Sequence, residues 1–189
     1  LNLVYLAEYF GLSEVANFWE SVVKMNSWHQ KRISEIVVNK LFGTVTNKKL
    51  IILGFSFKAN TNDTRESASI SICKDLLEEG AFLAIHDPKV DPEQISTDLG
   101  SKPINNIEET NNIDFEIKEG DWYFSRNIKD VTTSADAVVV LTEWQEYANL
   151  DWRFISKGMR NPAWIFDARS ILDSEKVKES ELNFWRIGD

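Results

Sequence analysis

The sequence predicts an α/β protein: a Rossmann-like, doubly wound, mostly parallel sheet preceded by a long helical segment. Three observations carry that expectation. Leu50-Ile-Ile-Leu-Gly-Phe and Ala137-Val-Val-Val-Leu-Thr are continuous apolar runs, as for strands buried on both faces. From residue 48 onward, strand patterns alternate with helical ones, the order of βαβ units in a parallel sheet. Ahead of them, apolar residues recur at steps of three and four through residues 13–42.

Residues 1–10 read as the end of a helix closed near Gly11. Ser13 is placed to cap the next helix, with Glu14 near its positive end. The stripe of that helix is Val15, Trp19, Val22, Val23, Ile33, Ile36, Val37 and Leu41, passing Asn26 and His29 in phase. This predicts one helix over 13–42, roughly 45 Å long at 1.5 Å per residue, ended by Gly43. A helix of that length wants a partner, from a second domain or a second subunit. Asn26 and His29 fit a hydrogen-bonding pair at such an interface, or groups satisfied locally or partly exposed.

The polar stretch Thr44–Lys49 marks a boundary between a helical segment, residues 1–47, and a domain of residues 48–189. Leu50–Phe55 is the first strand. Asp63 and Glu66 have capping-box spacing ahead of a helix striped by Ile72, Cys73, Leu76 and Leu77 and stopped by Gly80. Phe82–His86 is the second strand, ended by Asp87-Pro88, which completes a right-handed βαβ unit. Asp91-Pro92 opens a short helix reaching Leu99. Residues 101–123, rich in Asn, Glu and Gly, read as an irregular insertion or a weak strand. Asn127–Ser134 is a short helix, Ala137–Thr142 a buried strand, and Glu143–Lys157 largely helical. Ala163–Asp167 and Leu182–Ile187 are the remaining strands.

The 189 residues, 43% hydrophobic and 27% charged, can bury a core, which excludes a disordered or collagen-like chain. Twenty-one Lys and Arg against thirty Asp and Glu leave a net charge of −9, which argues against a nucleic-acid partner. No apolar run is long enough to span a bilayer. The single cysteine, Cys73, permits no internal disulfide and fits a reducing compartment such as the cytoplasm. It lies on the apolar face of its helix, as a core residue does. Two histidines and one cysteine at unrelated spacings make no zinc site. Leu1 falls inside an apolar pattern, so the chain is expected to be part of a longer one.

Doubly wound sheets bind ligands at the carboxyl ends of their strands, where strand order reverses. In the common order, the first and fourth strands flank that point. Their exits are Phe55-Ser-Phe-Lys58 and Thr142-Glu-Trp144, with Asp167-Ala-Arg169 beside them. Lys58, Arg65 and Arg169 are therefore expected to converge on one crevice as an anion site. A dinucleotide site fits less well. Gly54 is followed by Phe-Ser-Phe-Lys-Ala-Asn, with no second or third glycine for a pyrophosphate to approach. Asp87 stands where a ribose-binding acid would, but also where an Asp-Pro turn would open.

Leu53-Gly-Phe-Ser-Phe-Lys, Asp63-Thr-Arg-Glu-Ser, Asp87-Pro-Lys-Val, Leu141-Thr-Glu-Trp and Phe166-Asp-Ala-Arg occur in that order. Together they resemble the C-terminal half of the UDP-glucose 6-dehydrogenases, in the UDP-glucose/GDP-mannose dehydrogenase family. Leu1-Asn-Leu-Val-Tyr-Leu and the Met25-Asn…Gln30-Lys-Arg helix are similar to the family's central region. The resemblance spans the chain apart from residues 101–123 and is nearer to animal-type enzymes than to those for GDP-mannose or UDP-N-acetylmannosamine.

The resemblance implies a definite chemistry. The family oxidises UDP-glucose to UDP-glucuronate with two NAD⁺, through a cysteine-bound intermediate. It implies a nucleophilic cysteine and a catalytic aspartate just before Leu1, so that the chain alone would be inert. It implies a dimer through the 13–42 helix. Phe57 and Lys58 match the substrate-contacting pair, Arg169 matches a substrate-contacting arginine, and Arg65 matches an arginine reaching NAD. For Arg65 an ion pair with Asp63 or Glu66 is the other reading. Asp87 and Trp144 match the family without a ligand role. Ala168-Arg169-Ser170 stands where close relatives often carry a glycine and a second arginine. Two alternatives stay open: another nucleotide-sugar dehydrogenase, or a stand-alone nucleotide-binding and dimerisation module.

Overall fold

A computed structural model describes residues 2–104 and 120–188. The expected insertion at 101–123 lies mainly outside the described residues. Two helices lead, α1 (Asn2–Tyr9) and α2 (Ser13–Lys40). The sheet domain follows as β1 (Lys49–Leu53), α3 (Ala68–Glu78), β2 (Phe82–His86), α4 (Pro92–Leu99) and β3 (Trp122–Phe124). Then come α5 (Ile128–Thr132), β4 (Ala137–Val140), α6 (Gln145–Ala148), α7 (Trp152–Gly158), β5 (Trp164–Asp167), α8 (Ser174–Lys178) and β6 (Asn183–Arg186).

The strand order is β3-β2-β1-β4-β5-β6 and every pairing is parallel. The order reverses between β1 and β4, as expected from the alternation of elements. Side chains alternate across each strand, so the apolar runs feed two cores. Leu50, Ile52, Leu83 and Val139 pack under α2, α3 and α4, where Ile33, Val37, Ile72, Cys73 and Ile95 are buried. Ile51, Leu53, Ala84 and Val138 face the opposite layer, against Val131, Tyr147, Trp152, Ile155 and Val177. Cys73 is fully buried in the first of these cores, and burial drives its thiol well above the ordinary range, so it is inert.

The long helix forms as its stripe requires, but the two ends of that stripe fare differently. Ile33, Ser34 and Val37 are buried against the sheet layer. Toward the start, Phe18, Trp19, Val22, Val23, Met25 and Trp28 remain exposed, although α1 packs alongside. Asn26 is exposed and His29 half-buried. Leu3, Val4, Trp19, Val22 and Val23 line a groove of about 570 Å³ that Glu66, from the β1–α3 loop, also borders.

Three local expectations need correction. Ser13 is the first helical residue rather than the cap, and its hydroxyl bonds Glu14. Asp63 and Glu66 form no capping box; Ser67 caps α3 by accepting from the Ser69 N–H. Asp63 instead engages Arg65, and Glu66 takes a left-handed φ of 60°. Residues 143–157 form two short helices, because the Asp151 carboxylate accepts from the Phe154 N–H and restarts the chain as α7.

Candidate functional site

The crevice is assembled at the β1, β2 and β4 exits around one buried carboxylate. Asp87 Oδ2 accepts from the Phe55 N–H (2.8 Å), the Ser56 N–H (3.0 Å), the Ser56 hydroxyl (3.1 Å) and Trp144 Nε1 (3.3 Å). Its Oδ1 accepts from the Lys89 and Val90 N–H groups at 2.8 and 2.9 Å. Both oxygens are thereby consumed inside the protein, so Asp87 ties three loops and has nothing left for a ribose. Trp144 is likewise buried, with its indole nitrogen spent on that carboxylate.

Gly54 lets this knot close. Its φ is +95°, and a Cβ there would lie 2.3 Å from Thr142 Cβ. The β1 exit thus passes in contact with the β4 exit, where the Thr142 hydroxyl donates to the Ser56 carbonyl at 2.7 Å. Ser67 and Ser69 donate back to the carbonyls of Phe55 and Gly54. From this anchored base Phe57 and Lys58 project outward. Phe57 is about half exposed and Lys58 is exposed.

Arg169 enters from the other side. Asp167 Oδ1 accepts its N–H and Asp167 Oδ2 that of Leu172, bending the chain after β5. Its Nε donates to the Leu141 carbonyl at 2.6 Å. Glu143 touches both segments: Oε1 accepts from the Ala59 N–H at 3.2 Å, and Oε2 lies 3.7 Å from Arg169 Nε. Arg65 is drawn into the same rim through Asp63, which accepts from its Nε (2.9 Å) and a terminal nitrogen (2.7 Å). Those hydrogen bonds, and more weakly the charge on Lys58, lower the Asp63 pKa to about 2. The ion-pair reading of Arg65 is therefore realised with Asp63, at an exposed position where it adds little stability.

Of the three cations named from sequence, Lys58 and Arg65 lie on the loop after β1 and Arg169 on the loop after β5, all past strand carboxyl ends. Glu143 escaped sequence reasoning, although it sits inside the Leu141-Thr-Glu-Trp motif that marked the β4 exit. Beneath the rim, His86 is buried, with Nδ1 3.0 Å from the Tyr147 hydroxyl and Nε2 3.2 Å from the Arg126 carbonyl. Burial lowers its pKa below the ordinary value, so it is a neutral packing residue.

This geometry suits an anionic ligand held by mobile cations above a fixed floor. It does not build a dinucleotide cradle of its own. The loop has one glycine, Asp87 is occupied, and Phe57 stands where close backbone approach would be needed. Among the described residues no group of three or more His, Cys, Asp or Glu could hold a metal ion. No helix among them is long and apolar enough to cross a membrane.

Residues 51–174 match the model of the UDP-glucose/GDP-mannose dehydrogenase family, UDP binding domain. The chain is 42% identical over 188 residues to UDP-glucose 6-dehydrogenase of Drosophila melanogaster, covering all of this chain and 38% of that protein. It is 43% identical over 173 residues to UDP-glucose 6-dehydrogenase of Pongo abelii, covering 92% of this chain and 33% of that protein. It therefore spans little more than a third of the length of these relatives. Among solved structures, a UDP-glucose dehydrogenase from Pyrobaculum islandicum superimposes with a TM-score of 0.67 at 21% identity. That match covers 96% of this chain and 34% of the other, and shows a shared fold.

Proposed function

The chain belongs to the UDP-glucose/GDP-mannose dehydrogenase family, and from that premise we propose that it supplies UDP-sugar binding and dimerisation to an NAD-dependent UDP-glucose 6-dehydrogenase. The whole protein would oxidise the C6 alcohol of UDP-glucose to a carboxylate, adding water and reducing two NAD⁺. The observation that carries the reading is the cationic rim, with Lys58 and Arg169 on either side of the switch point inside the matched UDP-binding region.

On this reading Lys58 and Arg169 hold the diphosphate, Lys58 as a mobile point charge and Arg169 through its planar fork. The exposed ring of Phe57 offers an apolar wall beside them. The residues present do not fit a resident NAD, so we assign Arg65 one contact to a cofactor held by another part of the protein. Residues 1–47 form the dimerisation segment and 48–189 the UDP-sugar domain. The exposed aromatic stripe at the start of α2 supports a second copy as its cover. The buried, inert Cys73 supports a nucleophile lying outside this segment and no turnover by the segment alone. A single free cysteine supports a cytoplasmic setting.

Titration calorimetry of the chain with UDP tests the assignment. Each charge-assisted contact removed should cost about 1.5–3 kcal/mol, so Lys58→Ala and Arg169→Ala should each weaken UDP roughly ten- to a hundredfold. Unchanged affinity in both would overturn it. GDP binding as tightly as UDP would remove the uridine preference. Arg65→Ala should leave UDP affinity of the chain intact.

A further inference from the structure

We propose that Glu143 is a positioning residue for diphosphate binding, fixing the distance between the Lys58 loop and Arg169 across the switch point. The inference rests on the reading of Lys58 and Arg169 as UDP contacts.

Three consecutive side chains at the β4 exit reach across the sheet. Thr142 donates to the Ser56 carbonyl, Trp144 donates to Asp87, and Glu143 accepts from the Ala59 N–H. Thr142 and Trp144 are buried and hold the base of the β1–α3 loop. Glu143 is exposed and holds the loop farther out, at the residue after Lys58. Of the three, only Glu143 pairs with Arg169. It therefore tethers the exposed ends of two segments that otherwise share only buried anchors.

Electrostatics alone assigns Glu143 the opposite role. A carboxylate beside an anion-binding arginine repels a diphosphate, and its removal should tighten binding. Positioning predicts weaker binding on removal, because the loop and the arginine must then be ordered by the ligand. The sign of the change decides between the two.

The experiment compares the native chain with Glu143→Ala and Glu143→Gln, by calorimetric titration with UDP and by thermal melting. Glu143→Ala should bind UDP about tenfold more weakly despite losing a negative charge. Glu143→Gln keeps an acceptor for the Ala59 N–H and should recover to within about threefold of native. Melting temperatures should be unchanged in both, since the pair is solvent-exposed. Tighter or unchanged UDP binding by Glu143→Ala, with Lys58→Ala and Arg169→Ala still weak, would overturn the positioning role alone. Unchanged binding by Lys58→Ala and Arg169→Ala would instead overturn the UDP reading. Independently of any ligand, amide exchange at Ala59 should accelerate in Glu143→Ala; exchange at the native rate would overturn the tether.

Discussion

The two ends of α2 carry one stripe and meet two fates. Near its C-terminus Ile33 and Val37 sink beneath the sheet, beside Leu50, Ile52 and Leu83. Near its N-terminus Val15, Trp19, Val22 and Val23 face solvent. Both halves repeat apolar residues with helical spacing, and only tertiary packing separates them. An apolar stripe announces that something will cover it. It does not say whether the cover is the same chain or another. A patch of exposed aromatic and aliphatic residues of this kind is the ordinary mark of an interaction surface.

The comparison can be broken most forcefully at its buried end. Leu41, which is buried just past α2, should cost about 3–5 kcal/mol when changed to Ala, read by urea unfolding. Val23→Ala should change the chain's own stability by no more than about 0.5 kcal/mol and instead raise the dissociation constant of the proposed dimer in sedimentation equilibrium. Equal destabilisation by the two would erase the contrast. The crevice floor ranks close behind. Gly54→Ala forces a Cβ into Thr142 at a positive φ and should cost roughly 2–4 kcal/mol, with UDP binding lost in parallel. Asp87→Asn turns an amide donor toward backbone N–H groups and should cost about 2–3 kcal/mol by the same assay.

The smallest effect is in pH. The His86 pKa lies below 6.5 in the folded state because burial disfavours the charged ring. Above pH 6.5 both states are neutral at this site and it adds no pH dependence. As pH falls from 6.5 toward the lower folded pKa, the unfolded chain takes the proton first and stability declines. His86→Gln should flatten that part of a melting-temperature profile between pH 5 and 7. An unaltered profile would show that His86 is not the titrating group.

The sheet was legible because its strands are two-sided and parallel. Leu50–Leu53 and Ala137–Val140 are apolar without alternation, and that pattern has few other outcomes. The switch point followed from strand order, and with it the placement of Lys58, Arg65 and Arg169 on loops at the strand carboxyl ends. Less was legible where side chains compete for the same backbone donor. Asp63, Glu66 and Ser67 all precede α3, and the choice of Ser67 depends on its bond to the Phe55 carbonyl, a contact across the loop. The break at Asp151 and the brief helix α8 are set by single capping carboxylates in weakly periodic sequence. The sites of Asp63 and Glu143 on the rim are likewise tertiary facts: sequence places charges on loops without saying which sign stands next to which.

Strand order also has a consequence for how the chain is built as it leaves the ribosome. β1 occupies the interior of the sheet, and both of its neighbours are synthesised after it, at widely separated times. Leu50 meets Leu83 early, whereas its other partner, Ala137, is synthesised much later. Through that interval one side of a largely apolar strand presents unpaired backbone groups, the kind of edge that invites wrong partners. The Lys49 N–H and the Thr142 hydroxyl find Asp136 and Ser56 only when β4 arrives, so the floor of the crevice and the pairing of β1 become complete in the same late step. Substitutions that slow the docking of β4 would then lower the yield of native protein more than they lower its final stability.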